Sequence, residues 1–149
     1  RLLSDQDMEE PIPTFRHRMP VQVRFNDVDR FGHVNNTAYF SLYDLGKVEY
    51  MHAVLGGGFE QDDVVPVVAN INADFIRPIF YGDPIEIETA TVHLGHKSFR
   101  LFQRAVNTET GDVMCQCSTT MVCFSLTAQE SVDIPASLRE AIERYERGE

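Results

Sequence analysis

Residues 24–55, RFNDVDRFGHVNNTAYFSLYDLGKVEYMHAVL, decide the fold of this chain. Two carboxylates, Asp27 and Asp29, open the stretch in alternation, and Gly32-His33-Val34-Asn35-Asn36 follows. The chain then runs to Leu55 without proline and with Gly46 as its only glycine. Asn35 and Asn36 suit a helix start, because a short side-chain oxygen can accept from the first free helical N–H groups. Gly56 stands where a helix wants a left-handed residue at its end. The spacing predicts a helix of about 20 residues, roughly 30 Å long.

At 100° per residue, Ala38, Leu42 and Leu45 fall on one side of that helix, and Tyr39, Tyr43, Tyr50 and Val54 on another. Phe40, Val48, Met51 and Leu55 fill much of the rest. A helix apolar nearly all round is expected to be wrapped by protein. Asp44, Lys47, Glu49 and His52 make it too polar to span a membrane.

Outward from the helix the pattern changes period. Met19 to Phe25 alternates as a strand, with Val21, Val23 and Phe25 set against Gln22 and Arg24. Gly56-Gly57-Gly58 gives a flexible exit after the helix, continued by the polar Glu60–Asp63. VVPVVANINADFIRPIF is the next strand, with Val65, Val67, Ala69, Ile71, Ala73 and Phe75 expected on one face. Pro78 and Tyr81-Gly82-Asp83-Pro84 punctuate it. In PIEIETATVHLG, Ile85 and Ile87 alternate with Glu86 and Glu88, so one face is expected to meet water. Gly95 marks a turn, SFRLFQRAVNT is a strand, Thr110-Gly111-Asp112 suits a hairpin, and VMCQCSTTMVCFSL is the last long strand. Pro135 opens a short amphipathic helix. Residues 1–18 read as a tail and 19–149 as one domain. The fold class is α+β, a mostly antiparallel sheet curled around one long helix, since the later strands lack the helical crossovers of a parallel sheet.

The 149 residues carry a formal net charge of −10, which argues against nucleic-acid binding, where affinity rests on neutralising phosphates. Acidic residues and the lack of an apolar core in RLLSDQDMEE give no secretory signal, so a cytoplasmic location is expected, with no membrane partner. Cys115, Cys117 and Cys123 are odd in number and form no Cys-x-x-Cys pair. They share one strand face and are expected as buried small hydrophobes. His93 and His96 lack the carboxylate neighbours of a metal site, and no metal is expected.

RFNDVDRFGHVNNTAYF resembles the signature of the 4-hydroxybenzoyl-CoA thioesterase-like family of hotdog-fold acyl-CoA thioesterases. NADFIRPIFYGDPIEIET is similar to that family's second strand and Tyr-Gly-Asp turn, and HKSFRLFQR to its Lys-Ser-Phe segment. The likeness runs from about Pro20 to Leu126. It implies a hotdog fold, a homodimer or homotetramer, and a site at a subunit interface near the start of the long helix. It makes Asp29 the catalytic carboxylate, with His33 beside it. It places oxyanion donors among the backbone amides around Asn35, Asn36 and Thr37. It also sets Lys97 and Ser98 at the CoA, with Arg100 and Arg77 as weaker candidates. The stretch further resembles plant acyl-ACP thioesterases, in which Asp-x-Asn-x-His precedes Val-Asn-Asn. Asp29 and His33 match there, but Phe31 stands in place of the Asn.

A thioester is already activated, so hydrolysis needs a carboxylate that attacks or activates water, and dipoles where oxyanion charge develops. Asp29 ahead of a helix N-terminus meets both needs. Asp27 reads instead as an acceptor that fixes the loop. The expected reaction cleaves acyl-CoA to a carboxylic acid and free CoA, with CoA as part of the substrate and no cofactor. An acyl carrier protein as thiol carrier, or a binder of acyl thioesters without catalysis, are the alternatives.

Overall fold

The computed structural model of the chain describes residues 12–57 and 63–149. The N-terminal decapeptide and most of the polar stretch after the long helix lie outside the described residues. Five strands, β1 His17–Val21, β2 Val64–Phe75, β3 Ile85–Leu94, β4 Ser98–Asn107 and β5 Val113–Ser125, form one antiparallel sheet in the order β1-β3-β4-β5-β2. A two-residue strand, β6 Glu130–Ser131, extends β5. Among the described residues two α-helices complete the fold, α1 Asn36–Leu55 and α2 Ala136–Glu146.

The long helix runs as its sequence signals require. Asn35 caps it, its side chain accepting from the Thr37 N–H, and it ends at Gly56 with φ 73°. Tyr39, Leu42, Tyr43, Gly46, Tyr50, Met51 and Val54 form one buried stripe against the sheet. Gly46 permits the closest approach, since a Cβ there would sit 2.5 Å from Ile87 Cγ2. Beside it, the buried Gln103 amide of β4 donates to the Tyr43 carbonyl and the Thr89 hydroxyl, both at 3.0 Å, and ties sheet to helix. Helix α2 covers the far end of α1, where the Tyr50 hydroxyl donates to the Glu146 carboxylate. The other side of α1 is bare in a single chain: Phe40, Leu45 and Val48 are exposed. Within one chain, sheet and α2 thus cover one side of this helix, and protein from outside the chain would be needed to wrap the other.

Three strand readings also change. The first strand is His17–Val21 rather than Met19–Phe25. Alternation stops because Asp27 accepts the Arg24 N–H at 2.8 Å and folds Phe25–Asp27 into a single 3-10 turn. Ahead of it, within the stretch read as tail, Phe15 is buried against Phe102, with the Arg104 guanidinium 4.7 Å from its ring. In β2 the expected common face breaks. Ile71, Ala73 and Phe75 pair with Thr119, Cys117 and Cys115, but the register shifts between Val68 and Asn70, so Val68 pairs with Met121 and Pro66 with Cys123. One extra residue reverses the alternation, and Val65 and Val67 fall on the face opposite Phe75. In β3, Glu88 does not meet water. It is buried, with Arg104 at 3.2 Å and Arg18 at 3.8 Å.

The thiols are as the alternation of β5 predicts: Cys115, Cys117 and Cys123 are free, buried and on the helix-facing side. Burial pushes the Cys115 thiol up to about 12. Among the described residues no helix is long and apolar enough to cross a membrane.

Candidate active site

The loop from Val28 to Asn35 is held at three points. The Val34 N–H donates to the Ile79 carbonyl at 2.7 Å, the Tyr81 N–H to the Gly32 carbonyl at 3.2 Å, and the Asn35 N–H to the Asp27 carbonyl at 2.7 Å. His33 forms an isolated β-bridge with Phe80 and sets its ring edge-on to it, centroids 4.8 Å apart. These ties fix the loop to the turn ahead of β3 and aim α1 into a cavity of about 340 Å³. Its walls are Asp29, His33, Val34, Asn35, Asn36 and Tyr39 from the loop and α1, and Phe75, Arg77 and Pro78 from the end of β2 and beyond.

The two carboxylates have different surroundings. Asp27 is 5% exposed and receives the Arg24 N–H and guanidinium. The side-chain hydrogen bonds from Arg24 hold its carboxyl below the usual carboxylate range. Its geometry is that of a loop-fixing acceptor. Asp29 is exposed in the single chain and uses one oxygen, Oδ1, for the Phe31 N–H at 2.9 Å and the His33 N–H at 3.3 Å. Its other oxygen, Oδ2, makes no hydrogen bond among the described residues. One oxygen orients the group, and the second is unengaged among the described residues.

The amides at the helix start are equally distinct. That of Asn35 is taken by Asp27, and that of Thr37 by the Asn35 side chain at 3.3 Å. Among the described residues the Asn36 N–H makes no hydrogen bond. Asn36 lines the same cavity as Asp29, at the positive end of a 20-residue helix.

Tyr39 was not singled out by sequence, because an aromatic at helical spacing reads as core. It packs edge-on against Phe75 with centroids 5.0 Å apart and lines the cavity three residues after Asn36. That spacing puts both residues on one helix face and was the available signal. Burial pushes its phenol up to about 12, so it stays protonated at neutral pH.

Lys97, Ser98 and Arg100 stand elsewhere. The Asp29 loop is bonded to the turn before β3, whereas Lys97 lies in the turn after it. The ten residues of β3 separate the two ends, roughly 30 Å at 3.3 Å per residue. One chain does not bring these residues to Asp29. Of the weaker candidates, Arg77 does line the cavity. Among the described residues no three or more His, Cys, Asp or Glu side chains group as metal ligands.

Residues 23–142 match the family model of the thioesterase-like superfamily. The chain belongs to that superfamily. It is 28% identical over 133 residues to the long-chain acyl-CoA thioesterase FadM of Escherichia coli, covering 83% of this chain and 95% of that protein. It is 24% identical over 123 residues to the E. coli acyl-CoA thioester hydrolase YbgC, covering 81% and 91%. Among solved structures it resembles a Thermus thermophilus thioesterase complexed with coenzyme A and Zn, with TM-score 0.76, 29% identity, and 91% and 96% of the two chains covered. The curved antiparallel sheet around one long helix is the hotdog architecture of these thioesterases.

Proposed function

We propose that this protein hydrolyses acyl-CoA thioesters to a carboxylic acid and free CoA, with Asp29 acting at the thioester carbonyl. One observation carries the reading: Asp29 and Asn36 line one cavity, and among the described residues Oδ2 of the first and the N–H of the second make no hydrogen bond. A carbonyl bound between them is attacked by the carboxylate or by a water that Asp29 deprotonates. The developing oxyanion meets the Asn36 amide and the helix dipole. Asn35 and Thr37 then serve the cap rather than the oxyanion, and His33 supports Asp29 through its backbone. The CoA thiolate leaves; where the carboxylate itself attacks, water then hydrolyses the resulting Asp29–acyl anhydride, which frees the carboxylic acid and restores Asp29. No cofactor is required, because the thioester is itself the activated group.

The working unit in this proposal is a homodimer. Strand β2 pairs only with β5 among the described strands, and its Val67, Val68 and Ile71 are exposed. A long apolar edge is a template for another strand. In the sheet, Ser98 pairs with Val122, which pairs with Val67. If two copies of β2 pair antiparallel, the Val67 end of one meets the Phe75 end of the other. A second copy's Lys97 and Ser98 are thereby carried toward the Asp29 cavity, where they can hold CoA phosphates. Three free cysteines agree with a reducing, cytoplasmic location.

The test is thiol release from a panel of short, aromatic and long acyl-CoA esters. Release from one or more of them is expected. Binding of the esters without release would overturn hydrolysis in favour of a binding role.

A further inference from the structure

An oxyanion is held best by donors that converge on it, and the start of α1 has few to give. The Asn35 N–H is spent on the Asp27 carbonyl, the Thr37 N–H on the Asn35 side chain, and the Ala38 N–H on the Asn35 carbonyl at 2.9 Å. Among the described residues the Asn36 amide alone is unspent at this end of the helix. A second donor has to come from a side chain of the cavity wall.

Tyr39 shares the helix face of Asn36 and lines the same cavity. Helical side chains lean toward the N-terminus, so its ring is directed back over the turn that carries Asn36. That ring is 3% exposed and gripped edge-on by Phe75. Its oxygen faces the N–H of Ile79. The carbonyl of the same Ile79 takes the Val34 N–H and pins the Asp29 loop. Among the described residues the Tyr39 hydroxyl donates to no group. Ring and oxygen are fixed, and the proton is uncommitted. An N–H on the oxygen also polarises the O–H and makes it a better donor. Arg77 lines the cavity too, but it is exposed. A long exposed chain must be ordered before it can serve, whereas Tyr39 is already in place.

We propose that the Tyr39 hydroxyl is the second oxyanion donor, beside the Asn36 amide, and thus a catalytic residue of thioester hydrolysis. The inference rests on the acyl-CoA hydrolysis argued above. As Asp29 or its water adds to the carbonyl carbon, negative charge passes to the carbonyl oxygen, and the Tyr39 O–H meets it with a hydrogen bond. A bond to an ionised acceptor is stronger than one to the neutral carbonyl, so the transition state gains more than the bound ester. The proton stays on the phenol, which burial keeps protonated through the neutral range. When the C–S bond breaks and the carbonyl re-forms, the hydroxyl is unchanged.

The experiment is Tyr39→Phe, which removes one oxygen and keeps the ring that packs on Phe75. On the ester of the acyl-CoA panel that the wild type cleaves fastest, kcat is expected to fall by about 10²–10³, with KM little changed. A second readout is the infrared band of that ester, isotope-labelled at its carbonyl carbon and bound to Asp29→Asn so that it is not cleaved. With Tyr39 present the band is expected below its frequency in water, and Tyr39→Phe is expected to move it back toward that value. Lost packing alone does not move it. A kcat within a few-fold of wild type overturns the proposal and leaves hydrolysis standing. So does a loss of kcat with the carbonyl band unmoved. Where Tyr39→Phe does not fold, a ring-fluorinated tyrosine at this position keeps the hydroxyl and strengthens it as a donor. The band is then expected to move further down, and an unmoved band overturns the proposal. No release from any CoA ester by the wild type removes the hydrolysis reading and the role of Tyr39 with it.

Discussion

Two carboxylates two positions apart face different surroundings, and one substitution at each separates their roles. Asp29→Asn keeps the oxygen that accepts the Phe31 and His33 amides but removes the charge. Thiol release is expected to fall by about 10²–10⁴ in kcat, while calorimetry still detects CoA binding. Asp27→Asn removes the charge that holds Arg24 and is expected to lower Tm by a few degrees at neutral pH, with a much smaller loss of kcat. Because the folded carboxyl of Asp27 titrates below its ordinary range, its stabilisation is present above the unfolded pKa, about 3.9, and is lost as pH falls through the lower folded value. The Tm gap between wild type and Asp27→Asn is therefore expected to close below about pH 4. The sequence carried both aspartates into view through one motif. Their division of labour needed coordinates, because it depends on which carboxylate meets Arg24 and which keeps an oxygen free.

Among the elements, α1 is both the best-specified and the most tightly constrained. Gly46→Ala should raise intrinsic helix propensity by up to about 1 kcal/mol, yet its Cβ would press on Ile87, which is wholly buried. Overpacking costs about 1–3 kcal/mol, so a net loss on the order of 1 kcal/mol is expected in urea unfolding, with m unchanged. The helix was legible from Asn35 and Gly56, because capping chemistry is local and written in residue type. Its one-sided burial was not, since apolar residues on the bare side say that something covers them without saying what. Strand β2 shows the opposite case. Its residues were found, but the register shift near Ala69 arises from pairing with β5 and leaves no mark in a run of Val, Pro, Ala and Asn. A one-residue shift then misplaced Val65 and Val67.

For the whole molecule, the question is how a protein of net charge −10 holds a polyanionic thiol carrier. Sequence likeness put Lys97 at the CoA, and the fold put it at the opposite end of β3 from Asp29. The proposed dimer through β2 would reconcile the two, because each site would then combine Asp29 of one copy with Lys97 of the other. This arrangement is testable without an interface structure. Lys97→Ala is expected to raise KM for acyl-CoA by about tenfold or more, as for loss of a charge-assisted hydrogen bond, and by less at high salt. Asp29→Asn is expected to lose kcat. When the two variants are unfolded together and refolded as a mixture, mixed dimers contain one site with both residues intact. That site is expected to restore activity at the wild-type KM. If Lys97 instead served the Asp29 of its own chain, every site in the mixture would carry one defect, and the mixture would show only the sum of its parts. Variants refolded separately and mixed only for the assay provide the baseline, since subunits that do not exchange cannot complement.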